Sequence, residues 1–145
     1  MTYLLLIKLY KDIKKKIGVL GILYFKKGLY LYIGSAKKNF RARIERHLLK
    51  KKRMFWHIDY LLSLRHTKIK HIWVTDKNKE CYMAGFLYKK GYSFVNGFGS
   101  SDCNCPSHLF FVNKDTVIIK NLLNKLLNKI GLLNIQIIDS TKSII

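Results

Sequence analysis

A tyrosine at the end of an apolar run and a basic segment behind it supply residue types that phosphodiester chemistry requires. The run ends in Tyr32-Ile33-Gly34, and Arg43 and His47 follow shortly after it. Cutting a phosphodiester bond needs a base near the attacking water, a cation for the charge that develops at phosphorus, and usually a metal ion held by a carboxylate. Phenol has an ordinary pKa of about 10, so Tyr32 would act as a base only where a cation or metal ion lowered that value.

The charge of the chain points to a polyanionic partner. Lys and Arg number 28 against 8 Asp and Glu, which gives a formal net charge of +20. Such an excess repels itself and favours a polyanion such as nucleic acid. Residues 37–53 hold nine of the basic side chains, with Glu45 as the single acid. Outside Arg43, the predicted nucleic-acid contacts in this segment are Lys37, Lys38, Arg41, Arg46, Lys50, Lys51, Lys52 and Arg53. The alternatives are a solvated Lys-rich surface and a membrane surface, and a membrane surface would also need exposed apolar anchors.

The elements that must position these residues follow from periodicity. Apolar runs predict strands over 3–9, 18–25 and 29–33, with Lys26-Lys27-Gly28 as the turn of a hairpin between the last two. Helical spacing predicts helices over 40–49, 56–64 and 79–90, and further strands are predicted over 69–75 and 108–112. A last helix is predicted from Asp115 or Thr116 to about Lys129, stopped by Gly131. Its apolar stripe Val117, Leu122, Leu126 and Ile130 is predicted to pack on the core.

The fold class predicted is α/β or α+β, with a small, mostly antiparallel central sheet flanked by helices. A length of 145 residues predicts a single domain, with a core of about residues 1–112 and a C-terminal helix and tail over 113–145. Three cysteines cannot form a disulfide framework, which indicates a reducing, cytoplasmic compartment. The apolar run 3–9 is too short for a signal peptide or membrane span, so we expect no transmembrane segment.

Two stretches resemble the GIY-YIG nucleases, in which a YIG or YVG strand end runs through Ser-Ala-Lys and then Arg-x-x-Arg-His. They are residues 32–37 (YIGSAK) and residues 43–47 (RIERH). The resemblance implies a small sheet with flanking helices, a tyrosine that acts as base or orients water, an arginine that holds phosphate, and a glutamate that binds Mg²⁺ or Mn²⁺. These roles fall on Tyr32, Arg43 and Glu80, with His47 in the same motif. Tyr3 is the candidate for the tyrosine of the first, GIY half, whose glycine is missing here.

Three further segments are similar to an uncharacterised, largely archaeal subgroup of GIY-YIG-like domains, a domain of unknown function. They are residues 56–61 (WHIDYL), Glu80-Cys81 and residues 98–109 (FGSSDCNCPSHL). With them, the resemblance covers most of residues 1–112. Some domains of the subgroup look attached to DNA-repair enzymes, which implies a connection to DNA and a DNA-repair protein as partner. Ser35, His57 and Asp59 are candidates for support of the site.

Several of these residues also have simpler interpretations. Cys81, Cys103, Cys105 and His108 could form a four-ligand zinc site, but buried structural cysteines are frequent. Asp102 and His108 could instead brace the irregular loop over 96–106. Glu80 could bind a metal ion or simply favour a helix N-terminus, and Tyr32 could be an ordinary strand aromatic.

The sequence therefore predicts a metal-dependent endonuclease that uses Mg²⁺ or Mn²⁺ and acts on nucleic acid, with DNA favoured over RNA. One alternative is a non-catalytic nucleic-acid-binding module that kept the scaffold and lost the first motif. Another is an adaptor that docks a DNA-repair partner.

Overall fold

The computed structural model describes residues 1–113 and 115–130, together with the backbone of residues 133–135. In this part of the chain, the strands and helices follow one another as β1 (Thr2–Leu9), β2 (Ile13–Lys16), β3 (Ile22–Phe25), β4 (Gly28–Ser35), α1 (Phe40–Leu48), α2 (His57–Leu62), β5 (Thr67–Thr75), α3 (Glu80–Lys89), β6 (Ser93–Phe94), β7 (Leu109–Phe111), α4 (Thr116–Ile130) and β8 (Leu133–Ile135). The predicted stop at Gly131 and the predicted tail beyond residue 135 lie outside the described residues. The fold is α+β, as the sequence predicts.

The central sheet is antiparallel and is built around β1. Its strand order is β6-β7-β4-β1-β5-β8. On one side β1 pairs with β4 along its whole length, from Thr2 opposite Ser35 to Leu9 opposite Gly28, and on the other side it pairs with β5. All of β1 except Lys8 is buried. A continuous apolar run is typical of a strand that is covered on both faces.

Helices cover both faces of this sheet. Successive side chains of a strand point to opposite faces, and β1 divides its residues in this way. Tyr3, Leu5 and Ile7 share one core with the buried residues of α1 and α2. Leu4 and Leu6 share the other core with α3 and α4. Burying one such Leu or Ile contributes about 1.5–3 kcal/mol, so the central strand is held firmly from both sides.

The predicted hairpin between residues 18–25 and 29–33 is wrong. Residues Gly18–Leu20 form a short 3-10 turn, and β3 pairs with β2 in a separate two-stranded sheet, with Lys14 opposite Tyr24. β4 instead pairs with β1 and β7. The physical reason is burial: β4 carries apolar residues on both faces, whereas Ile22 and Tyr24 of β3 are exposed and would not suit a central position.

The other predicted elements agree with the structure to within two residues at each end. Asp115 caps α4, because its carboxylate accepts a hydrogen bond of 2.8 Å from the backbone N–H of Val117. The predicted stripe on α4 is only partly right. Leu126 is buried, but Val117 is 62% exposed, and the core positions are Ile119, Leu123, Leu126 and Leu127. None of the helices in the described ranges is both long and apolar enough to cross a membrane.

Candidate functional site

A cavity of about 410 Å³ lies at the end of the sheet where β1 begins and β4 ends. Its walls bring together the five residues for which catalytic roles were predicted: Tyr3, Tyr32, Arg43, His47 and Glu80. They come from β1, from the consecutive elements β4 and α1, and from α3, so three separate parts of the sequence meet here. Ser35, His57 and Asp102 also line the cavity, whereas Asp59 lies behind it. Their convergence is a property of the structure, and their catalytic roles stay predictions.

Gly34 gives Tyr3 the space to lie at this cavity. The two residues are direct partners across β1 and β4. A Cβ atom on residue 34 would lie 2.3 Å from Cζ and 2.4 Å from the hydroxyl oxygen of Tyr3. Carbon atoms in contact normally stand about 3.5–4.0 Å apart. The glycine of the YIG motif is therefore a packing requirement of the Tyr3 ring.

Tyr3 and Tyr32 are buried neighbours whose ring centroids are 6.5 Å apart. Burial raises the pKa of Tyr3 above its ordinary value, although the Arg43 guanidinium opposes this shift. Burial and the neighbouring Tyr3 likewise raise the pKa of Tyr32. Both side chains are therefore neutral phenols at pH 7, and in the protein alone the nearby cations do not produce the lowered pKa that a tyrosine base requires.

His47 is hydrogen-bonded to Tyr3, with 2.7 Å between its Nε2 atom and the phenol oxygen. The imidazole is 2% exposed, and burial together with the charge of Lys52 lowers its pKa to about 3. It is therefore neutral at pH 7. Its Nδ1 atom has no hydrogen-bond partner in the described ranges. A neutral imidazole has one donor and one acceptor nitrogen, so the tautomer decides whether Tyr3 donates or accepts.

Two arginines contact Trp56, of which Arg43 lines the cavity and Arg46 is used internally. The guanidinium carbons of Arg43 and Arg46 lie 4.4 Å and 4.6 Å from the centre of its ring. Arg43 also donates a hydrogen bond to the carbonyl oxygen of Ser35 at the end of β4. Arg46 instead forms hydrogen bonds of 2.6 Å and 2.9 Å with the carboxylate of Asp59. Arg43 is thus held in place at the cavity by a carbonyl and an indole.

Asp59 is fully buried and fixes the start of α2. Its carboxylate accepts hydrogen bonds from Arg46 and from the backbone N–H groups of Phe55 and Trp56. Burial alone would raise its pKa, but these donors, Arg46 first, hold the pKa below its ordinary value. His57 supports the loop on the opposite side, because its Nδ1 atom accepts a hydrogen bond of 2.9 Å from Gly99. Of the three predicted support residues, His57 and Asp59 therefore brace different parts of the cavity wall and not each other.

The predicted nucleic-acid contacts divide into exposed and internally bonded cations. The Nζ atom of Lys50 donates to the carbonyl oxygen of Leu64 and to Thr67. Lys52 donates to the last carbonyl groups of α1, and partial burial lowers its pKa to about 8. Arg46 is bound to Asp59. Lys37, Lys38, Arg41, Lys51 and Arg53 are exposed and make no side-chain hydrogen bond or ion pair within the described residues, so they remain open to a ligand.

Glu80 begins α3 and directs its carboxylate toward β1. Thr2 donates a hydrogen bond of 3.2 Å to its Oε2 atom. Asp102, in the loop before β7, is the other acid in the cavity wall. A carboxylate at a helix N-terminus is stabilised by the helix dipole, and one or two carboxylates suffice to hold Mg²⁺ or Mn²⁺ together with a substrate phosphate. Glu80 and Asp102 are therefore the carboxylates of the cavity wall that could hold such an ion.

Cys81, Cys103, Cys105 and His108 form a second group at the same wall. Their potential ligand atoms all lie within 4.8 Å of one another, so the group could hold a metal ion. The Nδ1 atom of His108 is 3.1 Å from the carbonyl oxygen of Ile33, while its Nε2 atom is 3.4 Å from the Cys103 sulfur. An N–H bond to a carbonyl on one side leaves the lone pair on the other side, facing the thiols. This arrangement brings β4, α3 and the loop over 96–106 together.

Sequence reasoning missed two parts of the cavity. Phe55 and Trp56 form its rim and were given no role, although their position just behind a basic helix was a usable signal. Gly99, with a φ of +70°, lies against Tyr32, where a Cβ atom would come within 3.2 Å of the ring. The turn-rich composition of the loop indicated irregular backbone but not this contact.

The model of one protein family, described as Domain of unknown function DUF123, matches residues 2–131, so the chain belongs to this family. No curated protein matches the sequence. No solved structure matches it. The matched range includes both groups of residues at the cavity. The family description states no activity, so the geometry of the cavity is the basis for a functional proposal.

Proposed function

We propose that this DUF123 domain hydrolyses phosphodiester bonds of nucleic acid in the manner of the GIY-YIG nucleases, with DNA as the favoured substrate. The observation that carries the proposal is the convergence of Tyr3, Tyr32, Arg43, His47 and Glu80 on one cavity. Exposed cations beside it, among them Lys37 and Lys38, supply the attraction for a polyanion.

Arg43 is the group proposed to hold the scissile phosphate. Its contacts with Ser35 and Trp56 fix the plane of the guanidinium at the cavity wall, where its N–H groups can donate to phosphate oxygens. A planar fork matches the geometry of phosphate and stabilises the charge that develops on it during attack.

The two phenols and His47 are proposed to orient the attacking water and to take up its proton. Water donates to the Tyr3 oxygen while the Tyr3 proton moves to Nε2 of His47, in the tautomer that carries its own proton on Nδ1. A bound phosphate offsets the positive charges of Lys52 and Arg43, which contribute to the low pKa of His47, and so makes the imidazole a better acceptor. The water oxygen then bonds to phosphorus as the phosphorus–oxygen bond to the leaving sugar breaks. The sugar oxygen takes a proton from solvent, and His47 releases one to restore the starting state.

Glu80, with Asp102 nearby, would hold Mg²⁺ or Mn²⁺. Such an ion, when bound, supplies Lewis-acid stabilisation of the charged phosphate oxygens. To test the proposal, purified protein is incubated with plasmid, single-stranded and branched DNA and each ion. We expect cleavage that Tyr3→Phe, Arg43→Ala and Glu80→Gln each reduce at least tenfold. Cleavage by wild-type protein that Glu80→Gln leaves intact would refute the site, and Glu45→Gln, an exposed acid on α1, is the matched control.

A non-catalytic nucleic-acid-binding module is the second candidate. The raised pKa values of Tyr3 and Tyr32 favour it, because neutral phenols are poor bases. It predicts strongly salt-dependent binding without turnover under any divalent ion. An adaptor that docks a DNA-repair protein predicts instead a pull-down of that protein which survives charge reversal within residues 37–53.

For the second group of residues we propose Zn²⁺. Three thiolates and one imidazole are the soft, tetrahedral donor set that zinc takes in structural sites, and four protein ligands leave no open position for chemistry. Thiolate ligands persist in a reducing compartment, which fits the cytoplasmic location we propose.

Metal analysis tests this assignment. We expect about one zinc ion per chain by mass spectrometry and the visible absorption of tetrahedral thiolate sites after Co²⁺ exchange. Cys105→Ser should reduce both, and His66→Ala, which replaces a histidine outside the group, should not. Zinc content unaffected by Cys105→Ser would overturn the assignment.

A further inference from the structure

Phe55 is a large apolar side chain held open to solvent at the rim of the cavity. It is 77% exposed. Its ring packs edge-on against Trp56, with 5.1 Å between the centroids and 84° between the planes. Its backbone N–H donates a hydrogen bond of 2.9 Å to the buried carboxylate of Asp59. Two contacts therefore fix the ring in an exposed position.

Among the aromatic rings of the cavity wall, Phe55 is the one with a face open to a ligand. Tyr3 and Tyr32 are buried, at 1% and 8% exposure. Trp56 is contacted by the guanidinium groups of Arg43 and Arg46. An exposed aromatic face beside cations is the combination that binds single-stranded nucleic acid, because bases stack on the ring while cations contact the phosphates.

Phe55 and Arg43 are close enough to bind one nucleotide together. Both contact the same indole, the Phe55 ring edge-on at 5.1 Å between centroids and the Arg43 guanidinium carbon at 4.4 Å from the ring centre, and both line the cavity. In an intact duplex the faces of each base are covered by its neighbours, so a base reaches such a ring only where it is unpaired or turned out of the stack.

We propose that Phe55 is a base-stacking platform and that the cavity takes single-stranded or locally unpaired nucleic acid, with one base on Phe55 and an adjoining phosphate at Arg43. The inference rests on the proposed function only in taking nucleic acid as the ligand. It does not require that the bond is cut.

The test compares binding of a fluorescent mixed-sequence single strand with binding of the matching duplex, by anisotropy and without divalent ions. Stacking of one base predicts that Phe55→Ala weakens single-strand binding about 5- to 150-fold and leaves duplex binding unchanged. Phe55→Tyr should retain the wild-type affinity. The matched control is Tyr24→Ala, which removes a ring of similar exposure, 70%, outside the cavity and should change neither affinity.

Quenching of Trp56 fluorescence gives a second readout, because the other tryptophan, Trp73, is fully buried. We expect the single strand to quench wild-type protein strongly and Phe55→Ala weakly. The proposal would be overturned if Phe55→Ala weakened single-strand and duplex binding equally, or weakened neither. It would also be overturned if Phe55→Ala reduced self-association of the protein and left nucleic-acid binding unchanged. Cleavage is measured separately from binding. A protein that cuts no DNA but still prefers single strands in a Phe55-dependent way would contradict the proposed hydrolysis and support base stacking on Phe55.

Discussion

Replacing Gly34 with alanine tests the close approach on which the position of Tyr3 depends. The added Cβ would lie 2.3 Å from Cζ of Tyr3, so the ring must move by roughly 1 Å or more to reach normal contact. The ring is 1% exposed and packs against Tyr32, Phe40 and His47, which a displacement would disturb. We expect the displacement to break the hydrogen bond between Tyr3 and His47.

The size of the effect follows from two contributions. Inserting a methyl group into a well-packed core costs about 1–3 kcal/mol. Loss of a buried hydrogen bond adds about 0.5–1.5 kcal/mol. The free energy of unfolding should therefore fall by about 1.5–4.5 kcal/mol, which for a chain of this size lowers Tm by roughly 5–15 °C.

Urea denaturation followed by circular dichroism measures this loss. Gly85→Ala is the matched control, because Gly85 lies within α3 and a Cβ there would meet no atom within 4 Å. Alanine is the better helix former, so this variant should gain up to about 1 kcal/mol.

A double-mutant cycle identifies the clashing partner. In a Tyr3→Val background the added methyl group meets no ring, so the cost of Gly34→Ala should fall below about 1 kcal/mol. The reasoning would be refuted if Gly34→Ala cost the same in both backgrounds, since the strain would then come from the strand backbone and not from Tyr3.

Three further variants probe the walls of the cavity. Asp59→Asn removes the charge that Arg46 and two backbone N–H groups bind, and should cost about 1.5–3 kcal/mol in urea denaturation at pH 7. The wild-type contribution of Asp59 is present above its ordinary pKa and is lost as the pH falls through the lower folded value. The pKa of His47 is about 3 in the folded protein and about 6.5 when unfolded, so a falling pH favours the unfolded state. Between pH 7 and pH 5.5 the free energy of unfolding of wild-type protein should fall by about 1.2 kcal/mol more than that of His47→Gln. Arg43→Lys, which loses the planar contacts with Ser35 and Trp56, should weaken single-strand binding about tenfold in anisotropy measurements.

Each of these variants has a control and a contradicting result. Asp115→Asn keeps a good helix cap and should leave the free energy of unfolding unchanged. If Asp115→Asn and Asp59→Asn lowered the free energy of unfolding equally, Asp59 would have no special role. If the free energy of unfolding followed the same pH dependence in wild-type protein and His47→Gln, the pKa of the buried imidazole would not change on folding. Arg41→Lys changes an exposed cation of the same helix, and an equal loss of affinity there would mean that only charge matters at Arg43.

The sequence predicted most of the fold because most elements carry one clear periodicity. Residues 40–48 place Ile44 inward at helical spacing, and residues 3–7 form an uninterrupted apolar run that is typical of a strand buried on both faces. The hairpin failed because Lys26-Lys27-Gly28 has the composition of a tight turn whichever strands flank it. Pairing is decided by burial on both faces, and local turn signals do not contain that information.

The helix α4 shows a second limit. Apolar residues occupy so many of its positions that two stripes, one through Val117 and one through Ile119, are both consistent with helical spacing. Only contact with the sheet selects the second stripe. Periodicity predicts that a helix exists more securely than which face it buries when several faces are apolar.

The sequence predicted most residues of the candidate site but not how they lie relative to one another. Tyr3 and Tyr32 are 29 positions apart, and only the antiparallel pairing of β1 with β4 brings them together. The sequence also gave no sign that Asp59 would bind Arg46, which turned a predicted support residue and a predicted nucleic-acid contact into an internal ion pair. Long-range pairing of this kind depends on the fold as a whole.

The internal hydrogen bonds of Arg46, Lys50 and Lys52 should reduce the number of counterions that this protein releases when it binds DNA. Each phosphate neutralised by a protein cation frees condensed salt ions, and the logarithm of the affinity falls with the logarithm of the salt concentration by about 0.9 per phosphate contact on a duplex. Arg46 is paired with the carboxylate of Asp59, and Lys50 and Lys52 each donate at least two internal hydrogen bonds, so these three cations contribute little to this count. The salt slope of the segment over residues 37–53 should therefore reflect its exposed cations and Arg43, and be far shallower than the formal charge of the chain suggests.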